Sequence, residues 1–561
     1  MSKNISQLAR RKGVKNTLFQ ALLLEENSDA PEQRKKLAKE FLVGDSVVQS
    51  TASFYDFIDG ENANKKAYVC NGSSCLCAGT QEKTKNALES QFGESNVGHV
   101  TCLGRCFENS AFQVAGKNFS GHDIEQLSTI SAAIDANNEM NLSAEQYAVK
   151  TTLAQPILTA KIGDIEQYYQ LFNKLRNEST AEQLLDKISD SGLRGRGGAG
   201  FPTGFKWQSC RASAGDEKYI VCNADEGDAG AFSDRYLLEH RPHSVLFGML
   251  MAGYLVGAST GILYVRNEYP QAIENTEKAI KKFKKLINSI NLFSGLDFTF
   301  NFKVIIGAGS YVCGEETALL RSIEGQRPVV SVRPPFPAQS GLFGCPTVLN
   351  NVETFASIHW ILSEQEGSFK AMGNGKSTGS KLISLDSCVK QPGIYEVAMG
   401  TPLIDVINLA GGYSKSVKAL HIGGPLGGVV PINKVPELNV DFESFAESGF
   451  LLGHASIIGI PAEMRMIDYL AHLFEFTADE SCGKCYPCSI GSVRGKELVE
   501  DAIDNPNTLD LGLLEELLET MELGSLCALG GGVPLPVRNI LQYFSEELSP
   551  FIMPEKELDN E

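Results

Sequence analysis

A glycine-rich stretch, Gly195-Arg-Gly-Gly-Ala-Gly-Phe-Pro-Thr-Gly-Phe-Lys-Trp207, decides how the central part of this sequence is interpreted. Gly195, Gly197 and Gly200 satisfy the pattern G-x-G-x-x-G, which in the ordinary dinucleotide-binding fold follows a strand directly. Here the preceding segment, Thr180 to Asp190, has the pattern of a helix. We therefore expect a loop that approaches a phosphate or the edge of a flavin with its backbone, outside the standard turn; a plain turn is the alternative.

Four other polar stretches of this region lie where ligands commonly bind in α/β proteins, after a strand or at the start of a helix. Two of them follow apolar strand patterns at Tyr219 to Cys222 and Phe302 to Ile306. Each alone could instead be a solvated acidic turn, a favourable first-turn charge, a rigid turn or a helix cap. The four stretches are Asn223-Ala-Asp-Glu-Gly-Asp-Ala-Gly230, Gly307-Ala-Gly-Ser-Tyr-Val-Cys-Gly-Glu-Glu-Thr317, Arg333-Pro-Pro-Phe-Pro-Ala338 and Asn350-Asn-Val-Glu-Thr354.

The first of two cysteine patterns combines Cys70-x4-Cys75 with Cys102-x3-Cys106, on two glycine-containing loops. Such loops let backbone N–H groups turn towards sulfur and stabilise the negative charge of an iron–sulfur cluster. A four-cysteine zinc site is the alternative, although its pairs usually have the tighter C-x2-C spacing. The spacing therefore favours a [2Fe–2S] cluster, with Cys77 beyond the loop and outside the ligand set.

The second cysteine pattern lies near the end of the chain. Cys482, Cys485 and Cys488 follow one another at intervals of three, and Cys527 supplies a remote fourth thiolate. Three close ligands and one distant one match the corners of a cubane, which predicts a [4Fe–4S] cluster. A zinc site with four cysteines uses the same ligands and stays open.

Composition excludes several classes of function. At 561 residues the chain is too long for one core, and we expect three or four domains. A net charge of −18 leaves no surplus of Lys and Arg to replace the counterions of a nucleic acid, so no nucleic-acid partner is expected. The run Val245 to Val265 is broken by four glycines and predicts a buried helix and strand, without membrane insertion.

Met1 to Gln20 has no apolar core of a signal peptide, which predicts a cytoplasmic protein. Because that compartment keeps thiols reduced, the fourteen cysteines are expected to bind metal or clusters, or to be plain buried thiols. The second group is Cys77, Cys210, Cys222, Cys313, Cys345 and Cys388.

Taken together, these stretches resemble the flavoprotein subunit of respiratory complex I and its soluble relatives in bacterial NAD-dependent formate dehydrogenases and NAD-reducing hydrogenases. The resemblance covers nearly all of the chain beyond residue 60, and its N-terminal cysteine domain resembles the thioredoxin-like [2Fe–2S] subunit of complex I. It implies an NADH:acceptor oxidoreductase, or diaphorase, that exchanges hydride between NAD(H) and FMN and passes single electrons through iron–sulfur clusters. A nucleotide-binding iron–sulfur protein without turnover is the alternative from another class.

The resemblance also implies the residues that bind FMN and the nicotinamide nucleotide. Phe201 and Phe336 match the aromatic residues that hold adenine. Glu226 and Glu315 match positions that orient the nicotinamide, and no catalytic residue beyond FMN is expected. The complete set is Gly195, Arg196, Gly197, Gly198, Gly200, Phe201, Lys206, Asn223, Asp225, Glu226, Asp228, Gly314, Glu315, Glu316, Arg333, Phe336, Asn350 and Asn351.

The sequence departs from the complex I pattern at two places. Ser209 stands where that pattern often has a third adenine-facing aromatic residue, so we expect a looser adenine site. Val330-Ser-Val-Arg333 replaces the usual Pro-Arg-x-Lys, although Arg333 keeps a positive charge.

The resemblance implies that the chain is one component of a soluble redox complex with other iron–sulfur subunits. Fusion of the [2Fe–2S] domain to the flavoprotein favours such a soluble complex, and we expect the chain to be the beta subunit of an NAD-dependent formate dehydrogenase. The diaphorase subunit of an NAD-reducing nickel–iron hydrogenase and the complex I flavoprotein subunit are the alternatives.

The expected fold class is α/β with several domains. Residues 1–130 should form a helical segment and a thioredoxin-like [2Fe–2S] domain, and residues 131–150 a linker. A Rossmann-like FMN/NADH domain should follow at 151–360, a small β-grasp-like domain at 375–445, and a C-terminal helical bundle that holds the [4Fe–4S] cluster at 460–550.

Overall fold

The structure is a computed structural model that describes residues 13–14, 16–24, 31–135 and 145–554. Most of the predicted N-terminal segment Met1 to Gln20, and residues 136–144 of the predicted linker, lie outside the described residues. Within the described residues four helices precede the first sheet, and all of them contribute side chains to the core on one face of the large central sheet. They are Leu18–Leu24, Pro31–Phe41, Asp45–Ala52 and Asp56–Asp59.

The first cysteine loops belong to a small four-stranded sheet. In spatial order its strands are Val97–Val100, Ala67–Cys70, Phe112–Val114 and Lys117–Phe119. The first two strands are parallel and the others antiparallel. Helices cover this sheet at Ser73–Ala78, Gln81–Phe92 and Leu127–Asp135, with 3₁₀ turns at Glu94–Asn96 and Gly121–Gln126.

The central sheet has four parallel strands, in the order Asn301–Ile306, Thr260–Val265, Tyr219–Ala224 and Thr347–Asn351. Helices cover both faces, which explains why the strands are apolar on both sides. The helix Pro242–Val256 can pack closely because a Cβ on Gly248 would lie 2.0 Å from the carbonyl oxygen of Phe355. The apolar run Val245 to Val265 is therefore a buried helix followed by a buried strand, as predicted.

Thirteen helical segments belong to this central part. They are Ile165–Glu178, Ala181–Asp190, Thr203–Ala212, Ser233–His240, Pro242–Val256, Pro270–Ser289, Tyr311–Gly314 (3₁₀), Glu316–Ile323, Pro337–Ser340, Leu342–Gly344 (3₁₀), Val352–Ala356, Ile358–Ser363 and Ser368–Ala371. Ala181–Asp190 begins with a capping box at Thr180, which confirms the helix predicted ahead of the glycine-rich loop.

A six-stranded sheet follows, and it is larger than the predicted insert at 375–445. Its strands in spatial order are Gly428–Pro431, Val417–Ile422, Ser456–Pro461, Ser380–Leu385, Gly393–Ala398 and Ala148–Thr151. The last strand comes from the stretch predicted as linker, and it pairs in parallel with Gly393–Ala398. A four-residue edge strand whose partner lies some 240 positions away carries no local pattern that could reveal this pairing. Short helices lie at Leu403–Leu409, Ile432–Glu437 (3₁₀) and Phe442–Glu447.

The chain ends in helices, as the sequence predicts. They are Met466–Asp479, Tyr486–Ser489, Gly491–Asp504, Leu511–Gly524, Ala528–Gly532, Pro534–Tyr543 and Ser545–Leu548. Their shared core includes Leu473, Phe474, Leu514 and Leu518. Within the described ranges, no helix is both long enough and apolar enough to cross a membrane.

Candidate functional site

The polar stretches predicted to bind a ligand meet at one edge of the central sheet. Asn223 and Asn351 end neighbouring parallel strands and face each other in register. The Asn223 side chain donates a hydrogen bond to the carbonyl oxygen of Gly314 at 2.8 Å, and a Cβ on Gly314 would lie 3.1 Å from the carbonyl oxygen of Asp225. Three separate stretches thus form one concave edge, which we call the cradle.

The glycine-rich loop closes one side of the cradle. Its backbone folds back on itself, with the N–H of Gly195 donating to the carbonyl oxygen of Phe201 at 2.8 Å. A Cβ on Gly197 would lie 3.1 Å from that of Asn351, so only glycine leaves the space between them open. Gly198, at φ +113°, packs against Gly453 of the six-stranded sheet. The loop does offer its backbone to the cradle, and it follows a helix instead of a strand.

A charged cluster borders the same edge. Glu316, at the start of its helix, pairs with Arg333 at 2.6 Å and lies 3.9 Å from Lys206 Nζ. Burial lowers the pKa of Lys206, while the attraction of Glu316 opposes that shift. Arg333 therefore places a positive charge at this edge, paired with Glu316.

Several buried polar atoms around the cradle have no protein partner within the described part of the chain. Asp225 Oδ2 and Glu315 Oε1 are unpaired acceptors, and Arg196 Nε and Nη1 are unpaired donors. The other oxygen of Glu315 caps the helix Glu316–Ile323 by accepting from the N–H groups of Thr317 and Ala318, each at 2.9 Å. Unpaired buried groups cost free energy unless a ligand satisfies them, so the cradle fits a ligand rich in hydrogen-bonding groups, such as a flavin nucleotide.

Large aromatic side chains are exposed beside the cradle. Phe201 and Phe336, both predicted to hold adenine, lie at the surface together with Phe205. Phe205 contacts Phe201 edge to face, with ring centres 5.9 Å apart, and it lies one helical turn before Ser209. The sequence interpretation missed Phe205, whose exposed position on an otherwise packed helix is visible only in the fold.

Glu226 and Asp228 differ in how they are engaged. Both oxygens of Glu226 accept hydrogen bonds inside the protein, from the N–H groups of Asp234 at 2.9 Å and Arg235 at 3.0 Å. These hydrogen bonds join Glu226 to the start of the helix Ser233–His240, and its contact with the nicotinamide stays a prediction. One oxygen of Asp228, Oδ1, accepts a hydrogen bond from the hydroxyl of Tyr311 at 2.7 Å. The other oxygen of Asp228 takes no part in this bond.

The four N-terminal cysteines converge in a buried pocket. Cys70 and Cys75 share a thiol hydrogen bond, and the sulfurs of Cys102 and Cys106 lie 3.5 Å apart. The N–H of Gly104 donates to Cys102 Sγ at 3.3 Å, as the glycine-containing loop predicts. The hydrogen bond from Cys106, assisted by the charge of Arg266, lowers the pKa of Cys102 to about 6 although burial opposes it.

The four C-terminal cysteines also converge, closer to the surface. Cys482 and Cys488 are buried, whereas Cys485 and Cys527 are half-buried. Burial raises the pKa of Cys488 to about 11 and that of Cys527 to about 12, and the neighbouring thiols add to both shifts. Cys527 also lies close enough to Glu315 to feel its charge, which connects this pocket with the cradle.

One loop, Asp225–Gly230, lies between the two cysteine pockets. At one end the N–H of Gly230 donates to Cys106 Sγ at 3.2 Å. On the other side, Asp228 accepts a hydrogen bond from the hydroxyl of Tyr311. The ring of Tyr311 contacts the ring of Phe476, which packs in the same apolar cluster as Cys488. The sequence interpretation did not identify Tyr311, because a single tyrosine in a polar loop gives no signal of its own.

Three family models match the chain. "Nuo51 FMN-binding domain" matches residues 188–360, "NADH-ubiquinone oxidoreductase-F iron-sulfur binding region" matches 468–550, and "SLBB domain" matches 387–430. The first two models cover the cradle and the C-terminal cysteines. The third lies within the six-stranded sheet.

Curated relatives extend the similarity. The NADP-reducing hydrogenase subunit HndC of Solidesulfovibrio fructosivorans is 42% identical over 66% of this chain and 76% of that protein. An NADH-quinone oxidoreductase subunit of Rhizobium meliloti is 39% identical over 68% of this chain and 91% of its own length. The NAD-reducing hydrogenase HoxS subunit alpha of Cupriavidus necator is 32% identical over 89% of this chain and 85% of its own length.

A solved structure is similar over nearly the whole chain. The crystal structure of an NAD+-reducing [NiFe]-hydrogenase in the H2-reduced state superposes with a TM-score of 0.85 and 28% identity, covering 96% of this chain and 93% of that one. The similarity therefore includes the N-terminal part of the molecule as well as the region of the family models.

Proposed function

Because the chain belongs to the family of flavoprotein diaphorase subunits found in complex I and in hydrogenases that reduce NAD or NADP, we propose that it exchanges hydride with NAD(H) at the cradle. It is an NAD-linked oxidoreductase whose cofactors include FMN and a [4Fe–4S] cluster. The observation that carries the proposal is the Asp225–Gly230 loop, which borders the cradle, contacts the N-terminal cysteine pocket through Gly230, and is linked to the C-terminal pocket through Tyr311 and Phe476.

The cradle residues bind and orient, and the flavin supplies the hydride and electron chemistry when it is bound. Lys206, Asn223, Asn350 and Asn351 face its polar edge and phosphate, with Asp225 and the free oxygen of Glu315 accepting hydrogen bonds. The backbone from Gly195 to Gly200 approaches closely because Gly197 leaves space beside Asn351. Phe201 and Phe336 provide aromatic faces for adenine, and Phe205 offers a third ring where Ser209 does not.

The N-terminal cysteines hold a [2Fe–2S] cluster, in a domain that we place in the thioredoxin-like class. Two backbone N–H groups directed at sulfur and a nearby Arg266 stabilise a negatively charged metal–thiolate site, and the Cys-x4-Cys and Cys-x3-Cys spacing favours a cluster over zinc. The C-terminal ligands are Cys482, Cys485, Cys488 and Cys527.

We divide the molecule into an N-terminal segment with the cysteine domain up to residue 130, the FMN/NADH domain at 151–360, a β-grasp-like domain at 375–445 and the helical bundle at 460–550. The strand Ala148–Thr151 joins the third of these units, although the chain reaches it before the second.

The partner is the catalytic part of a soluble redox complex that contains further iron–sulfur subunits. A nickel–iron hydrogenase is favoured by the similarity to HoxS subunit alpha over 89% of the chain. NAD-dependent formate dehydrogenase, first suggested by the fused domain, and complex I are the alternatives. Nickel in the purified native complex supports the first, and molybdenum or tungsten supports the second.

Anaerobic purification tests the cofactor set. We expect one FMN and about six iron atoms per chain, the sum of a [4Fe–4S] and a [2Fe–2S] cluster. Addition of NADH should bleach the flavin. Zinc in place of two irons would overturn the [2Fe–2S] assignment, and a flavin that NADH does not bleach would overturn the proposed activity. As a structural control, Gly197→Val should lose flavin while keeping its iron.

A further inference from the structure

A buried ionic network joins the six-stranded sheet to the cradle. His454, in the loop before the strand Ser456–Pro461, has its Nε2 atom 3.2 Å from Asp234 Oδ2 and 3.7 Å from Glu226 Oε1. None of the three residues is more than 5% exposed. Two carboxylates from the central domain therefore share one imidazole supplied by another sheet.

Each member of this network contacts the cradle. Asp234 Oδ2 also accepts a hydrogen bond from the side chain of Asn351, whose Oδ1 caps the helix Val352–Ala356. The backbone nitrogen of His454 lies 4.0 Å from the position of a Cβ on Gly198. Glu226 follows Asp225 directly, and its carbonyl oxygen accepts from Arg266 and Tyr269.

Charge balance makes His454 important to this network. Burial opposes its positive charge, but attraction by Asp234 and Glu226 outweighs burial and raises the pKa of His454 to about 9. Burial and the nearby Asp234 raise the pKa of Glu226 to about 7, with His454 opposing that shift. Without the imidazolium, the two buried carboxylates would have no opposite charge beside them, which would lower the stability of the fold.

The three ligand atoms also lie close enough together to hold a metal ion. The hydrogen bonds argue against that use, because both oxygens of Glu226 already accept from backbone N–H groups and Asp234 Oδ2 accepts from the side chain of Asn351.

We propose that His454 is a positioning residue for the flavin: with Asp234 and Glu226 it holds Asn351 and the Asp225–Gly230 loop, and its charge raises the reduction potential of the bound flavin. The inference rests on the proposed placement of FMN in the cradle. A positive charge near a flavin favours the more electron-rich reduced form, so its loss disfavours reduction.

Two variants that remove the charge of His454, one directly and one through its partner, test the proposal. In the anaerobically purified chain, His454→Gln should shift the FMN reduced-to-oxidised equilibrium about tenfold towards the oxidised form, or about 30 mV for a two-electron couple. Asp234→Asn keeps an acceptor for Asn351 but removes the carboxylate that stabilises the charge of His454 at 3.2 Å, so it should shift the equilibrium in the same direction and by no more than His454→Gln. Redox titration against dyes, followed by flavin absorbance, measures both.

His421→Gln is the matched control, because His421 is a buried histidine of the same sheet that bonds to Tyr469 and Gly427 instead of the network. Its flavin potential should equal that of the parent. Potentials equal to that of the parent in all three variants, or a shift towards the reduced form in either network variant, would overturn the proposal. So would one equivalent of zinc or manganese that the parent binds and His454→Gln loses.

These outcomes are separable from failure of the FMN placement. If Gly197→Val retains full flavin content, the cradle is wrong and the premise fails. If Gly197→Val loses flavin while the network variants keep the parent potential, the cradle stands and only the role of His454 fails.

Discussion

The two cysteine pockets use the same number of ligands but differ in how the fold encloses them. The N-terminal pocket is buried throughout, and one of its sulfurs accepts a hydrogen bond from Gly230 in another domain. The C-terminal pocket has two half-buried ligands, and Tyr486 and Leu523 beside it are each 78% exposed. An enclosed cluster can exchange electrons within the chain, whereas one near an apolar surface can pass them to another protein.

The largest effect should come from removing a ligand of the open pocket. Cys485→Ser should leave flavin reduction by NADH intact, because the cradle does not use this cluster to accept hydride, while electron delivery to the partner falls to background. Stopped-flow flavin bleaching and coupled turnover measure the two steps. The matched variant Cys102→Ser, in the enclosed pocket, should lower coupled turnover by a few-fold at most. Unchanged coupled turnover in a flavin-loaded Cys485→Ser chain would show that electrons leave elsewhere.

The exposed surface beside the open pocket should bind the iron–sulfur subunit of the partner. Tyr486→Ser and Leu523→Ser should each weaken assembly about tenfold, since burying such a side chain contributes about 1.5–3 kcal/mol. Leu513, also partly exposed on the helix Leu511–Gly524, provides the control Leu513→Ser, which should assemble normally. Affinity of the purified subunits measures the effect, and equal weakening by all three variants would argue against a specific surface.

The loop between the pockets should set nucleotide choice without altering either cluster. Asp228 is expected to accept from the ribose 2′-hydroxyl of NAD(H) and to repel the 2′-phosphate of NADP(H). Asp228→Asn should raise the NADPH/NADH ratio of kcat/KM on the order of ten- to a hundredfold, with iron and flavin content unchanged. Tyr311→Phe removes the 2.7 Å hydrogen bond but keeps the carboxylate, so its ratio should match the parent. Identical ratios for the parent and Asp228→Asn would move selectivity to another residue, such as Arg333.

The smallest expected effect concerns pH. The pKa of His454 is raised to about 9 from an ordinary value near 6.5, so its contribution to stability is complete below pH 6.5 and is lost as the pH rises through 9. The loss is at most about 3 kcal/mol. The melting temperature of the parent should fall between pH 7 and 9, and that of His454→Gln should fall less. Parallel pH profiles would contradict a charged His454 in the fold.

Much of the cradle could be predicted because its parts have local patterns. The strand at Tyr219, the helix before the glycine-rich loop and the helix cap at Asn351 all lie where their sequences indicate. Phe205, Tyr311 and His454 could not be predicted, because each acquires its surroundings from segments far away in sequence. Glu226 was assigned as a ligand contact from the family resemblance, and only the fold shows that both of its oxygens accept hydrogen bonds from the start of the helix Ser233–His240.

The sequence by itself determined the ligand types, their spacing and the strand-and-helix order, since these depend on neighbours within a few positions. Only the tertiary structure decided that Ala148–Thr151 joins a sheet formed later in the chain, and that one cysteine pocket is enclosed while the other opens to the surface. It also decided that one loop contacts the first pocket through Gly230 and is linked to the second through Tyr311 and Phe476. The physical reason is that burial and charge pairing depend on which distant segments pack together, and no local spacing specifies that packing.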